Sequence, residues 1–264
     1  RVRDFRPLKT QANLSEILIK SSNIGSALIA KEIGPVIQKE YMDKLGLTSK
    51  PNLSLSELAS PQYNKKWPST TSMTVAYGHG IAVSPLQLAS AIGAIMNGGK
   101  YISPKLVKDN LEQTVSRKIF KDETSSIIKK LTRLIVTHPD GSGKNADARG
   151  YLVGGKTGTA EKVSLNGGYN KFKNLASFVG VFPMNDPKYL VLIMVDEPKP
   201  QFEKLNHKFT TGGWVAAPAV KEVISKIAPI LKVHPTDIKL PELNHVKHFL
   251  YSNKSNKEQN LVSF

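Results

Sequence analysis

The 264-residue sequence contains no cysteine, which excludes disulfides and thiolate metal sites. The absence fits an oxidising compartment, where a stray thiol is a hazard, and also fits many cytoplasmic proteins. Long apolar runs are missing too. The longest, Tyr189 to Val195, is far short of the roughly 20 residues that a membrane helix needs. The opening Arg1-Val2-Arg3-Asp4-Phe5 lacks the apolar stretch of a signal peptide, so any anchor or signal would have to lie outside this sequence. Acidic residues are scarce: 21 Asp and Glu against 37 Lys and Arg give a formal net charge of +16. Such a charge attracts anionic partners. The basic residues are scattered, however, apart from short clusters such as Lys171-Phe172-Lys173 and Lys254 to Lys257. With no basic amphipathic helix and no aromatic-basic platform, the charge reads as a basic soluble surface, and no nucleic-acid partner is expected. Neither a metal nor a cofactor is implied, and no internal repeat is present.

What the sequence does contain is organised around residues 151–163, Tyr-Leu-Val-Gly-Gly-Lys-Thr-Gly-Thr-Ala-Glu-Lys-Val. An apolar entry, a glycine pair and Lys156-Thr157-Gly158-Thr159 predict a strand built to lie against a ligand. A glycine inside a strand marks close approach of another backbone or a ligand. Lys156 supplies a cation, Thr157 and Thr159 supply hydroxyls, and an exposed strand edge supplies amide donors. Together they suit an extended peptide ending in a carboxylate.

The chain ahead of this strand reads mostly as helix. Apolar residues at Leu14, Ile17 and Leu18, then at Ile24, Leu28, Ile29 and Ile33, predict two helices flanking the polar knot Lys20-Ser21-Ser22-Asn23. Ser22 or Asn23 serves as a cap of the second in the plain reading. Gly34-Pro35 ends that helix, and Val36 to Leu45 predicts another, closed by Gly46. Residues 47–72 read as a long surface connection with little regular structure. Ser84 as N-cap and Pro85 at the first position start a further helix, with Leu88, Ile92, Ile95 and Met96 as its buried stripe and Asn97-Gly98-Gly99 as its end. Glu123 to Val136 is predicted as an amphipathic helix with Ile127, Ile128, Leu131, Leu134 and Ile135 inward. Its Ser126-Ile127-Ile128-Lys129 has the form Ser-x-x-Lys, but Ser126 lies within an ordinary charged face and is set aside as a nucleophile. His79, between two glycines, lacks a second His or carboxylate at catalytic spacing. Thr137 to Gly150 is a polar loop. After the central strand, Asn166-Gly167-Gly168 predicts a hairpin turn. Leu175 to Phe182 and Tyr189 to Val195 complete an antiparallel meander, and Gly212-Gly213 leads into a helix from Trp214 to about Leu231.

Ser21-x-Asn23, the Gly-x-Gly-x-x-Val-Ser-Pro-Leu-Gln-Leu block at 78–88 and Lys156-Thr157-Gly158-Thr159, in that order, resemble the penicillin-binding transpeptidases. Each triplet alone is cheap, and the weight lies in their order and context. Gly167-Gly168-Tyr169, Ser177-Phe178-Val179-Gly180, Asp186-Pro187, Asp196-Glu197-Pro198 and Ala216-Ala217-Pro218 extend the resemblance to the class B, division-specific peptidoglycan transpeptidases, over about residues 1–230. The resemblance implies an α/β (α+β) fold of the β-lactamase and transpeptidase kind, an antiparallel sheet of about five strands flanked by helices plus a helical subdomain. On that basis residues 1–230 form a transpeptidase domain lacking its N-terminal part, with 14–136 mostly helical and 151–230 holding the sheet and last helix. Residues 231–264 form a tail.

The resemblance also implies roles. In the family a serine of Ser-x-x-Lys attacks the carbonyl between two D-alanines of a peptidoglycan stem peptide, and β-lactams block that serine covalently. Ser21 matches the serine that passes a proton towards the leaving amine. Asn23 matches the asparagine that fixes the substrate amide and the catalytic lysine. Lys156 holds positive potential, Thr157 and Thr159 bind the terminal carboxylate, the Thr159 N–H forms half of the oxyanion hole, and Gly158 keeps the strand approachable. The nucleophile itself is absent from these 264 residues, so the chain is expected to be part of a longer, membrane-anchored periplasmic protein. By family its partners are a membrane glycosyltransferase and other division proteins. Two alternatives remain open at this point: a D,D-carboxypeptidase or β-lactamase-related hydrolase, and a degenerate non-catalytic binding module. Against a class A β-lactamase, no Glu-x-x-Leu-Asn occurs between Asn23 and Lys156.

Overall fold

The computed structural model describes residues 2–8, 11–51, 53, 57–107, 116–164, 168–199, 209–236 and 262–263. In chain order the elements are β1 (Gln11–Ala12), α1 (Leu14–Lys20), α2 (Asn23–Ile33), α3 (Pro35–Lys44), β2 (Gln62–Tyr63), α4 (Ser69–Ala76), β3 (Ile81–Ala82), α5 (Pro85–Met96), β4 (Lys100–Ile102), β5 (Ser116–Lys118), α6 (Asp122–Thr137), a 3-10 turn at Lys144–Ala146, β6 (Gly154–Val163), β7 (Tyr169–Phe182), β8 (Tyr189–Asp196), α7 (Ala216–Ile230) and β9 (Val262–Ser263). Among the described residues no helix is long and apolar enough to cross a membrane. The chain divides into two compact units. One comprises Arg1–Pro7 and Ser22–Lys129, the other Leu8–Ser21 and Lys130–Phe264, so the division falls within α6.

The first unit is helical, with two two-stranded ladders among its described residues, β2–β3 and β4–β5. Ser22 caps α2, its hydroxyl accepting the Gly25 N–H, as the plain reading of the polar knot requires. α5 starts at a capping box in which Ser84 accepts from Gln87 N and the Gln87 side chain accepts from Ser84 N. Gln87 is itself buried and donates to the carbonyls of Gly46 at 2.9 Å and Ser49 at 2.8 Å. One residue thus ends the orphan donors of a helix and pins a loop. The buried face of α5 is Gln87, Ala91, Ala94 and Met96; of the expected stripe Met96 is buried, while Leu88, Ile92 and Ile95 are half-buried. Ala91 and Ala94 share one buried cluster with Leu45 and Leu47, small side chains at the point of close approach. On α6, Leu131, Leu134 and Ile135 are buried as expected, but Ile127 is 39% exposed.

The reading of 47–72 as irregular fails at its end, because α4 begins at Ser69 and β2 occupies Gln62–Tyr63. α4 has the sequence Ser-Thr-Thr-Ser-Met-Thr-Val-Ala and no side-chain cap, so neither period nor boundary signals it. It is held by burial of Ser72 and Val75 and by Gln38, which donates to the Ser72 carbonyl and accepts from Trp67 Nε1.

The second unit carries an antiparallel sheet in the order β6-β7-β8, the meander expected from the sequence. Three strands of it lie among the described residues, where the family resemblance implies about five. Gly154 pairs with Val181, Lys156 with Val179 and Gly158 with Ser177, while Phe178 stands opposite Ile193. β7 begins at Tyr169, earlier than the predicted Leu175. α7 packs on one face, with Val220, Ile224 and Ala228 against Phe178, Phe182 and Val153. A Cβ at Gly180 would lie 2.6 Å from Val220 Cγ1, so the glycine sets how closely the helix approaches. Residues 166 and 167 of the predicted hairpin turn, residues 200–208, and most of the tail with its Lys254 to Lys257 cluster lie outside the described residues.

Candidate functional site

α1 ends at Ser21, which adopts the left-handed conformation with φ 56° and ψ 53°. That conformation is costly for a residue with a Cβ, and it turns the chain sharply at the C-terminus of the helix. Its hydroxyl accepts a hydrogen bond from Lys156 Nζ at 2.5 Å. Lys156 directs its remaining donors to the Thr157 carbonyl at 3.1 Å and the Thr157 hydroxyl at 3.4 Å. All three N–H bonds of the ammonium therefore have acceptors. Among the described residues no carboxylate pairs with it, and burial pushes its pKa down to about 8. At neutral pH the group is mostly cationic, so it supplies positive potential and can release a proton at modest cost.

β6 lies at an edge of the sheet among the described residues. The Thr157 carbonyl on that strand accepts from Lys156. The Thr159 hydroxyl accepts the Gly212 N–H at 3.0 Å, which leaves its own O–H to donate. The Thr157 hydroxyl bonds to Ser142 Oγ at 3.1 Å. Gly158 has an internal reason for lacking a side chain: a Cβ there would come within 2.4 Å of Ser177 Oγ on the paired strand.

Ser21, Lys156, Thr157, Gly158 and Thr159 thus belong to one unit, and the first three are joined by hydrogen bonds. Asn23 belongs to the other unit. It opens α2 and donates Nδ2 to the Arg3 carbonyl at 3.0 Å. Beside it Asp4 accepts from Ser22 Oγ at 2.8 Å and from Ile24 N at 3.0 Å, an acidic group well placed at a helix N-terminus. The sequence analysis does not single out Asp4, Ser142, Asn145 or Gly212 as site residues. The only available signals were glycines flanking Ser142 and the Gly212-Gly213 pair. His79 stands in a glycine turn with its ring 5.5 Å from that of Tyr77. Ser126 lies half-buried inside α6. Among the described residues no three His, Asp or Glu side chains gather as metal ligands.

Residues 2–225 match the penicillin binding protein transpeptidase domain. The chain belongs to that family. Among its relatives is a probable peptidoglycan D,D-transpeptidase FtsI of Caulobacter vibrioides, 39% identical over 241 residues that cover 88% of this chain and 40% of that protein. The transpeptidase domain of penicillin-binding protein 3 from Burkholderia pseudomallei superposes with a TM-score of 0.74 at 30% identity, covering 84% of this chain and 66% of that one. Penicillin-binding protein 3 of Mycobacterium tuberculosis, solved with ampicillin, shares the fold at a TM-score of 0.80 and 22% identity, over 91% of this chain and 56% of that one. This transpeptidase domain therefore has the mixed α/β fold and class B kinship that its motifs imply. It spans about 40% of the length of the Caulobacter relative.

Proposed function

We propose that this transpeptidase domain carries the Ser-x-Asn and Lys-Thr-Gly-Thr half of a serine D,D-transpeptidase that cross-links peptidoglycan stem peptides during septal wall synthesis. The observation that carries the proposal is the hydrogen bond from Lys156 Nζ to Ser21 Oγ. It joins two motifs 135 residues apart into a unit that holds a proton and a positive charge. A nucleophilic serine from outside these 264 residues gives its proton to the lysine of its own Ser-x-x-Lys, which returns it when the acyl group later leaves, and attacks the carbonyl carbon of the penultimate D-alanine. The oxyanion forms against the Thr159 N–H, a donor fixed in advance where charge develops. As the peptide C–N bond breaks, Ser21 gives its hydroxyl proton to the leaving amine and is resupplied from the Lys156 ammonium. Asn23 orients the substrate amide. Thr157 and Thr159 hold the terminal carboxylate beside the Lys156 charge, D-alanine departs, and the acyl group passes to an amine of a neighbouring strand. A β-lactam enters the same path and leaves a stable acyl-enzyme. The protein acts at the periplasmic face of the inner membrane, with a membrane glycosyltransferase and other division proteins as partners.

Acylation by penicillin of the complete protein tests these roles. Lys156→Ala and Ser21→Ala should each lower the acylation rate by about 10²-fold or more, with little loss of folded protein. Unchanged rates in both variants would refute the assignment.

A further inference from the structure

Two loops bracket the edge of β6, and their contacts fall on the two threonines. From the first loop, Ser142 bonds to the Thr157 hydroxyl at 3.1 Å, while its own N–H is tied to the Ile19 carbonyl of α1 at 3.2 Å. From the second, the Gly212 N–H bonds to the Thr159 hydroxyl at 3.0 Å. Asn145 closes the bracket by donating Nδ2 to the Gly213 carbonyl at 2.9 Å. The second loop lies directly on backbone. A Cβ at Gly212 would come 2.2 Å from the Ser177 carbonyl oxygen and 2.5 Å from that of Gly158, and one at Gly213 would come 2.4 Å from that of Ser142.

A hydroxyl has one proton and two lone pairs. An anion requires that proton, so whatever fills the lone pairs decides whether the hydroxyl is presented as a donor. At Thr159 the Gly212 N–H takes a lone pair. At Thr157 the Lys156 ammonium takes one; the Thr157 proton rests on Ser142 Oγ, and when a carboxylate takes that proton the Ser142 hydroxyl turns its own proton to the Thr157 lone pair. We infer that Ser142 and Asn145 are positioning residues that set Thr157 and Thr159 as paired donors for the carboxylate of the substrate. The inference rests on the transpeptidase reading above. Ser142 acts on Thr157 directly, whereas Asn145 acts on Thr159 through the Gly212-Gly213 backbone.

The test uses the complete protein and two probes, a penicillin and its methyl ester, which differ only in the anionic carboxylate. Ser142→Ala and Asn145→Ala should each slow acylation by the free acid about three- to tenfold, the loss of roughly one neutral hydrogen bond, and slow acylation by the ester less than twofold. Ser142→Thr, which keeps the hydroxyl, should retain the unmutated ratio of acid to ester rates. Equal slowing with acid and ester, or no slowing with either, would overturn the inference while leaving the transpeptidase reading intact. So would a fallen ratio in Ser142→Thr. If the unmutated protein is not acylated at all, the transpeptidase reading itself fails and this inference falls with it.

Discussion

Lys156 places a cation in a half-buried position where, among the described residues, no carboxylate neutralises it. Burial holds its pKa at about 8, below its ordinary 10.5. The unfolded chain therefore binds more protons between about pH 8 and 10.5, and stability rises with pH across that window. Below about pH 8 the full cost of burying the charge applies, on the order of 3 kcal/mol. Lys156→Met removes the charge and keeps most of the volume, so it should raise the thermal midpoint at pH 7 by several degrees. That gain should shrink as pH approaches 10.5; thermal unfolding at several pH values measures it, and an unchanged or lowered midpoint at pH 7 contradicts the cost assigned to the buried charge. The same substitution should abolish acylation, a trade of function for stability. In the unmutated complete protein, loss of the cation should give acylation an alkaline limb centred near pH 8. Stopped-flow acylation across pH 6–10 reads that limb directly, and a profile flat through pH 9 would exclude Lys156 as the titrating group.

At the level of elements, the β6–β7–β8 sheet and α7 act as a rigid base that presents one strand edge. The closeness of that base depends on Gly180, which leaves room for Val220. Gly180→Ala should destabilise the domain by about 1–3 kcal/mol, and adding Val220→Ala should recover part of the loss, since the two positions share one contact. Denaturant midpoints of the single and double variants measure this, with strict additivity as the contradicting result. The strands were legible because alternating residues and glycines mark them. Ser84-Pro85 marked the start of α5 for an equally local reason. Of its expected stripe Met96 is buried, while Leu88, Ile92 and Ile95 are half-buried, because alanines lie in the cluster with Leu45 and Leu47. α4 carried no legible signal: its threonines and serines have no apolar period, and tertiary contacts through Gln38 and Trp67 hold it. The motif residues at 21–23 and 156–159 were legible as motifs. Their supports, Ser142, Asn145 and Asp4, were not, because each acts through a fold contact that local sequence does not encode.

For the whole molecule, the +16 charge agrees with a basic surface carrying many local ion pairs. Lys162, for example, joins Asp196 at 3.0 Å and Glu197 at 2.9 Å. Such exposed pairs stabilise little individually, so the fold rests on the apolar clusters, and the charge bears on partners rather than architecture. The central claim is that Ser21, Asn23 and Lys156-Thr157-Gly158-Thr159 serve a serine nucleophile that these 264 residues do not contain. Intact mass after incubation with a penicillin tests it most directly, on this chain and on the product of the complete reading frame. The account predicts that one penicillin mass is added to the longer protein and none to this chain. Addition to this chain, or to neither, would contradict it.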